Sequence, residues 1–523
     1  MSESSQPPRV YLATLGCPKN AVDSSKVAGS LSDDGYVSTD DPAQADLVVV
    51  NTCAFIEAAR QESIDTVLEL ADQRRAGAQL VVTGCMAERY GDEIRDAIPE
   101  VDAVVGFLGE GDIAAAVERG AGLASGSRPS SPGLSGVGVQ GTGLAGAGAS
   151  TGSDPVAVTL RPKPVGVRDL LELRRPADGA SWAYVKVAEG CDRACAFCAI
   201  PSFRGKQRSR TIDSIVAECL ELVAAGTKEI VLVAQDLAWF GRDRDEGQNL
   251  AQLLGRLETL MPLGLARVRL LYLYPSEVRG ELLDVMTTSP LVVPYFDLSL
   301  QHASAPLLRR MKRWGDGERF VDMIADLRRR TDGRAVIRSS FIVGFPGETE
   351  ADHDQLLDFL DATCIEWAGL FAYSREDGTA AADLDGAIPD ELVAERLREL
   401  SERQDAITAD ARHRLVGTTS TLLLDELDPG SGIAVGRTYR EAPEIDGIVS
   451  LVLDDASDPL TSSGDPGRLA PGDLVQVLID GVEGPDLTAR LCKGTAISPP
   501  PPSSHRHRSS TGVDPAGLNA GGG

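Results

Sequence analysis

The sequence predicts an α/β protein in three parts: an N-terminal parallel-sheet α/β domain, a partial (β/α)6 barrel and a small C-terminal β-barrel. Three observations predict it. Short β-branched runs alternate with helical patterns over residues 9–119, and the same alternation recurs six times over 165–416. Residues 417–495 then hold five short strand-like runs broken by Gly, Pro and Asp turns. At 523 residues the chain is too long for one ordinary core, so several domains are expected.

In the first segment the strand runs are VYLATLG, DLVVVNT and LVVTG, separated by AVDSSKVAGSLSDDG and AFIEAARQESIDTVLELADQRRAG. A short apolar run leading into a longer 3.6-period stretch is the βα unit of a parallel sheet. Residues 120–164 come next; their 120–155 stretch is a Gly/Ser/Pro tract without periodicity. Such a composition buries too little apolar surface to order itself, and it reads as a flexible insert or linker. The middle segment offers WAYVKVAEG, EIVLVAQD, RVRLLYLYP, YFDLSLQ, AVIRSSFIVG and EWAGLFAYS as strands, each followed by a helical stretch. Six such units suit a partial barrel better than a closed eight-stranded one. Near Gly417 a long polar helix gives way to TSTLLLDEL, GIAVGRTY, GIVSLVL, DLVQVLID and LTARLCKG, a barrel of the oligonucleotide-binding size class. The tail at 496–523 reads as disordered, with His505 and His507 exposed in it.

The net charge of −27 disfavours a phosphate-rich partner unless a basic patch is set apart, and it suits a basic one. Residues 1–8 are polar and the apolar run after them is too short for a signal-peptide core. No stretch reaches the length of a membrane span, so no membrane partner and a cytoplasmic location are expected. There, nine cysteines are metal ligands or buried small residues rather than disulfides.

Cys191, Cys195 and Cys198 lie in GCDRACAFCAIP, just after the first barrel strand. Three closely spaced thiolates can hold three irons of a cubane and leave the fourth iron open. The amino and carboxylate groups of S-adenosylmethionine can chelate that iron, and electron transfer to the sulfonium then releases a 5′-deoxyadenosyl radical. A zinc site would need a fourth ligand, and none stands nearby in the sequence. Cys17, Cys53 and Cys85 are far apart in sequence, but TLGC, NTC and TGC each follow a strand directly. Strand ends of a parallel sheet share one edge, so these sulfurs can converge as a second three-ligand set. The alternative is three buried core cysteines. Cys219, Cys364 and Cys492 read as buried small residues.

Polar residues recur at the carboxyl ends of the barrel strands, where barrel enzymes place their sites. Gln235 and Asp236, Tyr274 to Ser276, Gln301 with His302 and Ser304, and Tyr373 with Ser374 end successive strands. Arg338 lies inside the fifth, ahead of the GFPGE turn that starts at Gly344. Of these, Gln235, Ser276, Gln301, Arg338 and Gly344 are the candidates for binding the cofactor. Arg204, Lys206, Arg208 and Arg210 form a dense basic run near the second cysteine set; it neutralises carboxylates of cofactor or substrate, or it is a solvated face. Leu308 and Met311 read as core.

With these residues in view, the chain resembles the methylthiotransferase family of radical S-adenosylmethionine enzymes, over about residues 9–119 and 165–495. The resemblance implies an N-terminal cluster domain, a radical barrel and a C-terminal TRAM barrel. It implies two 4Fe–4S clusters: one on Cys17, Cys53 and Cys85, carrying the sulfur to be transferred, and the radical-generating one on the catalytic Cys191, Cys195 and Cys198. S-adenosylmethionine would serve both as methyl donor and as radical source. An electron donor such as flavodoxin or ferredoxin and a sulfur source are implied as well.

Two branches of that family differ in substrate: a tRNA adenosine, or the β-carbon of an aspartate in ribosomal protein uS12. Pro18-Lys19 after the first cysteine, Asp192-Arg193 with the Ala-Ile-Pro ending, and Glu376-Asp377 before Gly378-Thr379 are similar to the ribosomal-protein branch. Departures are the 120–155 insert and Arg375, where a proline is common. Residues 417–495 hold 14 acidic residues against 5 Lys or Arg, a balance of −9 that fits a basic protein better than tRNA. An acid-biased proteome would give the same sign. The resemblance therefore implies uS12, free or in the small ribosomal subunit, as partner, with nucleic acid met only through the ribosome. A tRNA adenosine methylthiotransferase, and a non-catalytic two-cluster electron carrier or ribosome assembly factor, are the competing expectations.

Overall fold

The computed structural model describes residues 7–107, 109, 113–114, 169–428, 432–453 and 469–492. The expected insert at 120–164 and tail at 496–523 lie outside the described residues.

The N-terminal domain is a five-stranded, all-parallel sheet. Its strands are β1 (Arg9–Thr14), β2 (Val37–Ser38), β3 (Leu47–Thr52), β4 (Gln79–Gly84) and β5 (Ala103–Val105), in the order β2-β1-β3-β4-β5. β3 is central, and all six of its residues are buried, as a strand covered on both faces requires. Helices α1 (Pro18–Asp33), α2 (Glu57–Gln73) and α3 (Cys85–Ala97) follow β1, β3 and β4. Pro18 opens α1, where a missing N–H costs nothing.

The middle domain carries six parallel strands: β6 (Trp182–Lys186), then β9 (Glu229–Val233), β10 (Arg267–Leu270), β11 (Tyr295–Gln301), β12 (Val336–Val343) and β13 (Trp367–Ala372). They form two three-stranded sheets, β10-β9-β6 and β11-β12-β13, joined by the bridges Val268–Val292 and Leu273–Leu298. The partial barrel expected from six βα units is therefore present, with its strands in sequential order. One strand is shorter than the sequence predicts. The run 267–275 is regular only to Leu270, because Tyr272 takes φ +65 and its N–H is held by Asp297 Oδ2 at 2.9 Å.

Alternation along these strands sorts side chains to two faces. Val185, Ile230, Leu232, Phe296 and Ile337 pack outward against the helices. Tyr184, Val231, Val233, Tyr295, Val336 and Trp367 face inward, and there meet Val22 of α1 and Ala442 of the C-terminal domain. The open barrel is thus filled from both neighbours. Between β6 and β9 stands a short antiparallel pair, β7 (Ala188–Glu189) with β8 (Arg208–Ser209). The excursion it closes carries Cys191, Cys195, Cys198 and α4 (Ile200–Arg204).

The last domain is a closed barrel in the order β14-β15-β16-β18-β17. Its strands are β14 (Thr419–Asp428), β15 (Ile433–Arg437), β16 (Val449–Val452), β17 (Leu474–Glu483) and β18 (Asp486–Leu491). Leu422, Leu424, Val449, Leu451, Val475, Val477 and Leu487 fill its interior. The segment from β15 to β16 plugs the middle barrel: Trp367 Nε1 donates to Arg440 O at 3.0 Å and Tyr184 Oη to Pro443 O at 2.9 Å. Among the described residues no helix is long and apolar enough to cross a membrane.

Candidate active site between the two cysteine sets

Cys17, Cys53 and Cys85 follow β1, β3 and β4, neighbouring strands, so the sheet brings their loops to one edge. A Cβ built on Gly16 would lie 2.7 Å from Cys53 Cβ and 3.0 Å from Cys53 Sγ, so only glycine, here at φ +94, lets the first two loops touch. Asn20 ties the set together. Its Nδ2 donates to Leu15 O at 2.9 Å and to Thr52 O at 3.1 Å, just ahead of Cys17 and Cys53. Its Oδ1 accepts from the Cys85 thiol at 3.8 Å. Burial pushes the Cys53 thiol up, and the Cys85 thiol up to about 12. Burial also raises Cys17, but the Lys19 and Arg204 cations with nearby N–H bonds outweigh it, leaving that thiol below its ordinary value. Cys53 feels the charge of Cys17, and Cys85 that of Cys17 and Cys53.

Cys191, Cys195 and Cys198 share their own pocket of the 190–207 excursion. Gly190 (φ +79) starts it where a Cβ would come 2.3 Å from Lys206 O. The Arg193 N–H donates to Cys191 Sγ at 3.4 Å, and Arg313 Nη1 donates to Cys195 Sγ at 3.3 Å. Burial raises Cys191 to about 11 and Cys198 to about 12. Arg193 is itself stacked between Tyr274 (3.9 Å) and Trp239 (4.5 Å) and paired with Asp236 at 2.6 Å.

Neither three-cysteine set contains a disulfide. Among the described residues, no three His, Cys, Asp or Glu side chains gather closely enough for one ion. A cubane asks for something else, since each thiolate holds a different iron and the sulfurs stand further apart. Two sets of three thiols, each met by cationic N–H donors and neither bridged as a disulfide, fit such a group by their donor chemistry.

A buried charge network links the N-terminal set to the excursion that carries the other. Arg204, at the end of α4, donates to Cys85 Sγ at 2.9 Å, Asn20 Oδ1 at 2.8 Å and Glu189 Oε1 at 2.7 Å. Lys186 pairs with Asp23 of α1 and with Glu189 at 2.6 Å. Buried ions survive only when paired in this way.

Of the rim residues, Gln235 joins this network, donating to Glu189 Oε1 at 2.8 Å, while its own Oε1 is buried without a partner. Ser276 donates to Glu277 Oε1 at 3.2 Å, and Glu277 also accepts from Arg193 at 3.2 Å. Gln301 ends β11 half-buried at φ +77. Arg338 points into the barrel interior, bonded to Asp297 at 2.9 Å and facing Asp446 at 3.7 Å. Gly344 (φ +80) donates its N–H to Glu348 Oε2 at 2.6 Å and packs against Val393. The basic run divides: Arg204 and Arg210 are buried and paired, whereas Arg208 is exposed. Leu308, Met311 and Cys219 are buried as expected, and Cys492 is half-buried. Cys364 is not buried. It caps a helix in the left-handed region (φ +44), which turns it out to solvent.

Asn20, Asp23, Lys186 and Glu189 are absent from the sequence reading. A signal existed: Asn20 and Asp23 share one face of α1, and Lys186 interrupts an otherwise apolar strand.

Residues 9–106 match the Uncharacterized protein family UPF0004, residues 185–360 the Radical SAM superfamily, and residues 416–492 the TRAM domain. Three proteins named ribosomal protein uS12 methylthiotransferase RimO are similar along nearly the whole chain. The one from Cutibacterium acnes is 41% identical over 501 residues, covering 92% of this chain and 97% of the relative. That of Salinispora tropica is 40% identical over 496 residues, covering 92% and 95%. That of Salinispora arenicola is 41% identical over 499 residues, again covering 92% and 95%.

Proposed function

This chain belongs to the uS12 methylthiotransferases, a radical S-adenosylmethionine family, and from that membership we infer that it transfers a methylthio group to the β-carbon of an aspartate in uS12. The observation that carries the reading is Arg204, which reaches from the excursion that carries Cys191, Cys195 and Cys198 to bond Cys85 of the other set. Cys17, Cys53 and Cys85 would hold one 4Fe–4S cluster and Cys191, Cys195 and Cys198 the other, each leaving one iron without a protein ligand. When bound, these clusters and S-adenosylmethionine supply the sulfur, the methyl group and the one-electron chemistry that an inert C–H bond requires.

The chain's own residues do the rest. Cys53 and Cys85 are buried and the other four thiols half-buried, and Arg204, Arg313 and the Arg193 N–H donate to sulfurs of the two sets. Gln235, with its unpartnered oxygen, Ser276 and Gln301 are the proposed polar contacts of S-adenosylmethionine. Arg338, inside the barrel, and Gly344, just past the end of β12, complete the proposed cofactor-binding set. Residues 9–119 form the sulfur-cluster domain, 165–416 the radical barrel and 417–495 the TRAM barrel, with 120–164 and 496–523 as connector and tail. The net charge of −27 and the acidic 417–495 segment favour a basic ribosomal protein through steering at encounter. A flavodoxin- or ferredoxin-type reductant, a separate sulfur source and a cytoplasmic setting complete the proposal.

The test incubates reconstituted protein with S-adenosylmethionine, reductant, sulfide and either a uS12 loop peptide or tRNA. Mass spectrometry should find one hydrogen of the peptide aspartate replaced by CH3S, and Cys195→Ala should release no 5′-deoxyadenosine. Modified tRNA beside an untouched peptide would overturn the substrate.

A further inference from the structure

We propose that Arg204 is a positioning residue that holds a hydrogen bond on the sulfur-carrying cluster and sets its reduction potential. The inference rests on the two-cluster reading above. Its guanidinium is only 3% exposed and is spent entirely inside the protein. One edge, Nη2, faces the N-terminal set: Cys85 Sγ at 2.9 Å and Asn20 Oδ1 at 2.8 Å. The other, Nη1, faces Glu189 Oε1 at 2.7 Å and Asp23 Oδ2 at 3.6 Å. The Phe107 ring lies 4.6 Å from its central carbon. A planar fork held at both edges cannot rotate away from the sulfur, which a lysine in its place could do.

The backbone position adds the second part of the argument. Arg204 ends the five-residue helix that starts two residues after Cys198, the last thiol of the other set. Its guanidinium crosses from that excursion to the opposite domain, and through Asn20 it reaches the backbone just before Cys17 and Cys53. The excursion thereby carries a donor into the neighbouring thiol set. Hydrogen bonds and positive charge at a cluster sulfur stabilise the reduced, more negative state and so raise the potential. Arg204 and Lys186 face Asp23 and Glu189, so their charges largely cancel. What remains of the Arg204 charge and its directed N–H···S bond act together on Cys85.

The test uses the full chain with Cys191, Cys195 and Cys198 replaced by alanine, so that only the N-terminal set can load. Reductive titration followed by electron paramagnetic resonance reads its potential, and resonance Raman in H2O and D2O reads the Fe–S stretch. With Arg204 intact, the stretch should shift on deuteration. Arg204→Gln should lower the potential and lose that shift; Arg204→Lys, which keeps the charge, should recover part of the potential. An unchanged potential in both variants would overturn the proposal. Loss of iron from both variants while the Arg204 parent stays loaded would also overturn it, leaving a brace and not a tuning group. No cluster in the parent would instead defeat the two-cluster reading.

Discussion

His302 sits buried just past the end of β11, where its Nδ1 accepts from the Ser304 N–H at 3.0 Å, an assignment that puts the ring proton on Nε2. Burial drives its pKa down to about 4 from 6.5, against the pull of Asp352, while His353 and Arg396 push the same way. The folded chain therefore keeps the ring neutral while the unfolded chain takes a proton. Stability from this residue is complete above pH 6.5 and is lost as the pH falls through about 4. The linkage is on the order of 3 kcal/mol. We predict that His302→Gln flattens the urea midpoint between those two pH values; a slope as steep as the parent's would refute this. The sequence places His302 on the rim, yet it is buried beside Asp352 and His353 of the helix at 350–363. Residue type and strand position were legible at this scale; the direction of a side chain after a φ +77 residue was not. The cysteines were easier to read, because thiols directly after strands leave few places to point. In the basic run, Arg204 and Arg208 look alike in sequence, and only the packing of α4 against the N-terminal domain separates them.

At the scale of elements, the β15–β16 segment is the plug that fills the open barrel. Trp367 is one of its contacts: its indole N–H donates to Arg440 O at 3.0 Å, and Arg412 of the helix at 390–413 lies over its ring, 5.0 Å away. Trp367→Phe should cost about 1–3 kcal/mol by leaving that carbonyl unpaired. Trp367→Ala should cost about 3–5 kcal/mol by opening a cavity as well. Urea unfolding followed by the remaining tryptophans measures both, and equal costs would argue against the hydrogen bond. The strands of both barrels were legible from alternation and turn residues. The plug was not, because GRTYREAPEIDG carries no period and owes its order to the interior it enters. The early end of β10 was hidden likewise, since a left-handed Tyr272 is fixed by Asp297 from a different strand.

Across the whole molecule, one carboxylate pairs twice between the N-terminal domain and the barrel rim, beside the Lys186 and Arg204 contacts. Glu376, 2% exposed, accepts from Arg60 at 2.6 Å and Arg89 at 2.7 Å, with Ser374 at 2.7 Å on its other oxygen. Glu376→Ala would strand two partly buried cations at the interface, a loss of about 3–5 kcal/mol. Limited proteolysis should then cut between the two domains faster than in the parent; an unchanged cleavage rate would contradict that loss. Three domains, their order and the strand counts of the two barrels could be read from the sequence, but of the five N-terminal strands only three were, since Val37–Ser38 and Ala103–Val105 are too short to show a pattern. Their mutual packing could not, because Glu376 with Arg60 and Arg89, or Lys186 with Asp23, are pairs that only the folded chain brings together.

The central claim, one chain with two separate three-cysteine cluster sites, is open to a direct count. Iron and acid-labile sulfide should be measured per chain after anaerobic reconstitution, for the parent and for alanine replacements of each three-cysteine set. The account predicts about eight irons in the parent and about four in either variant, each with a 4Fe–4S spectrum. About four irons in the parent, with the Cys17, Cys53 and Cys85 variant unchanged, would contradict it.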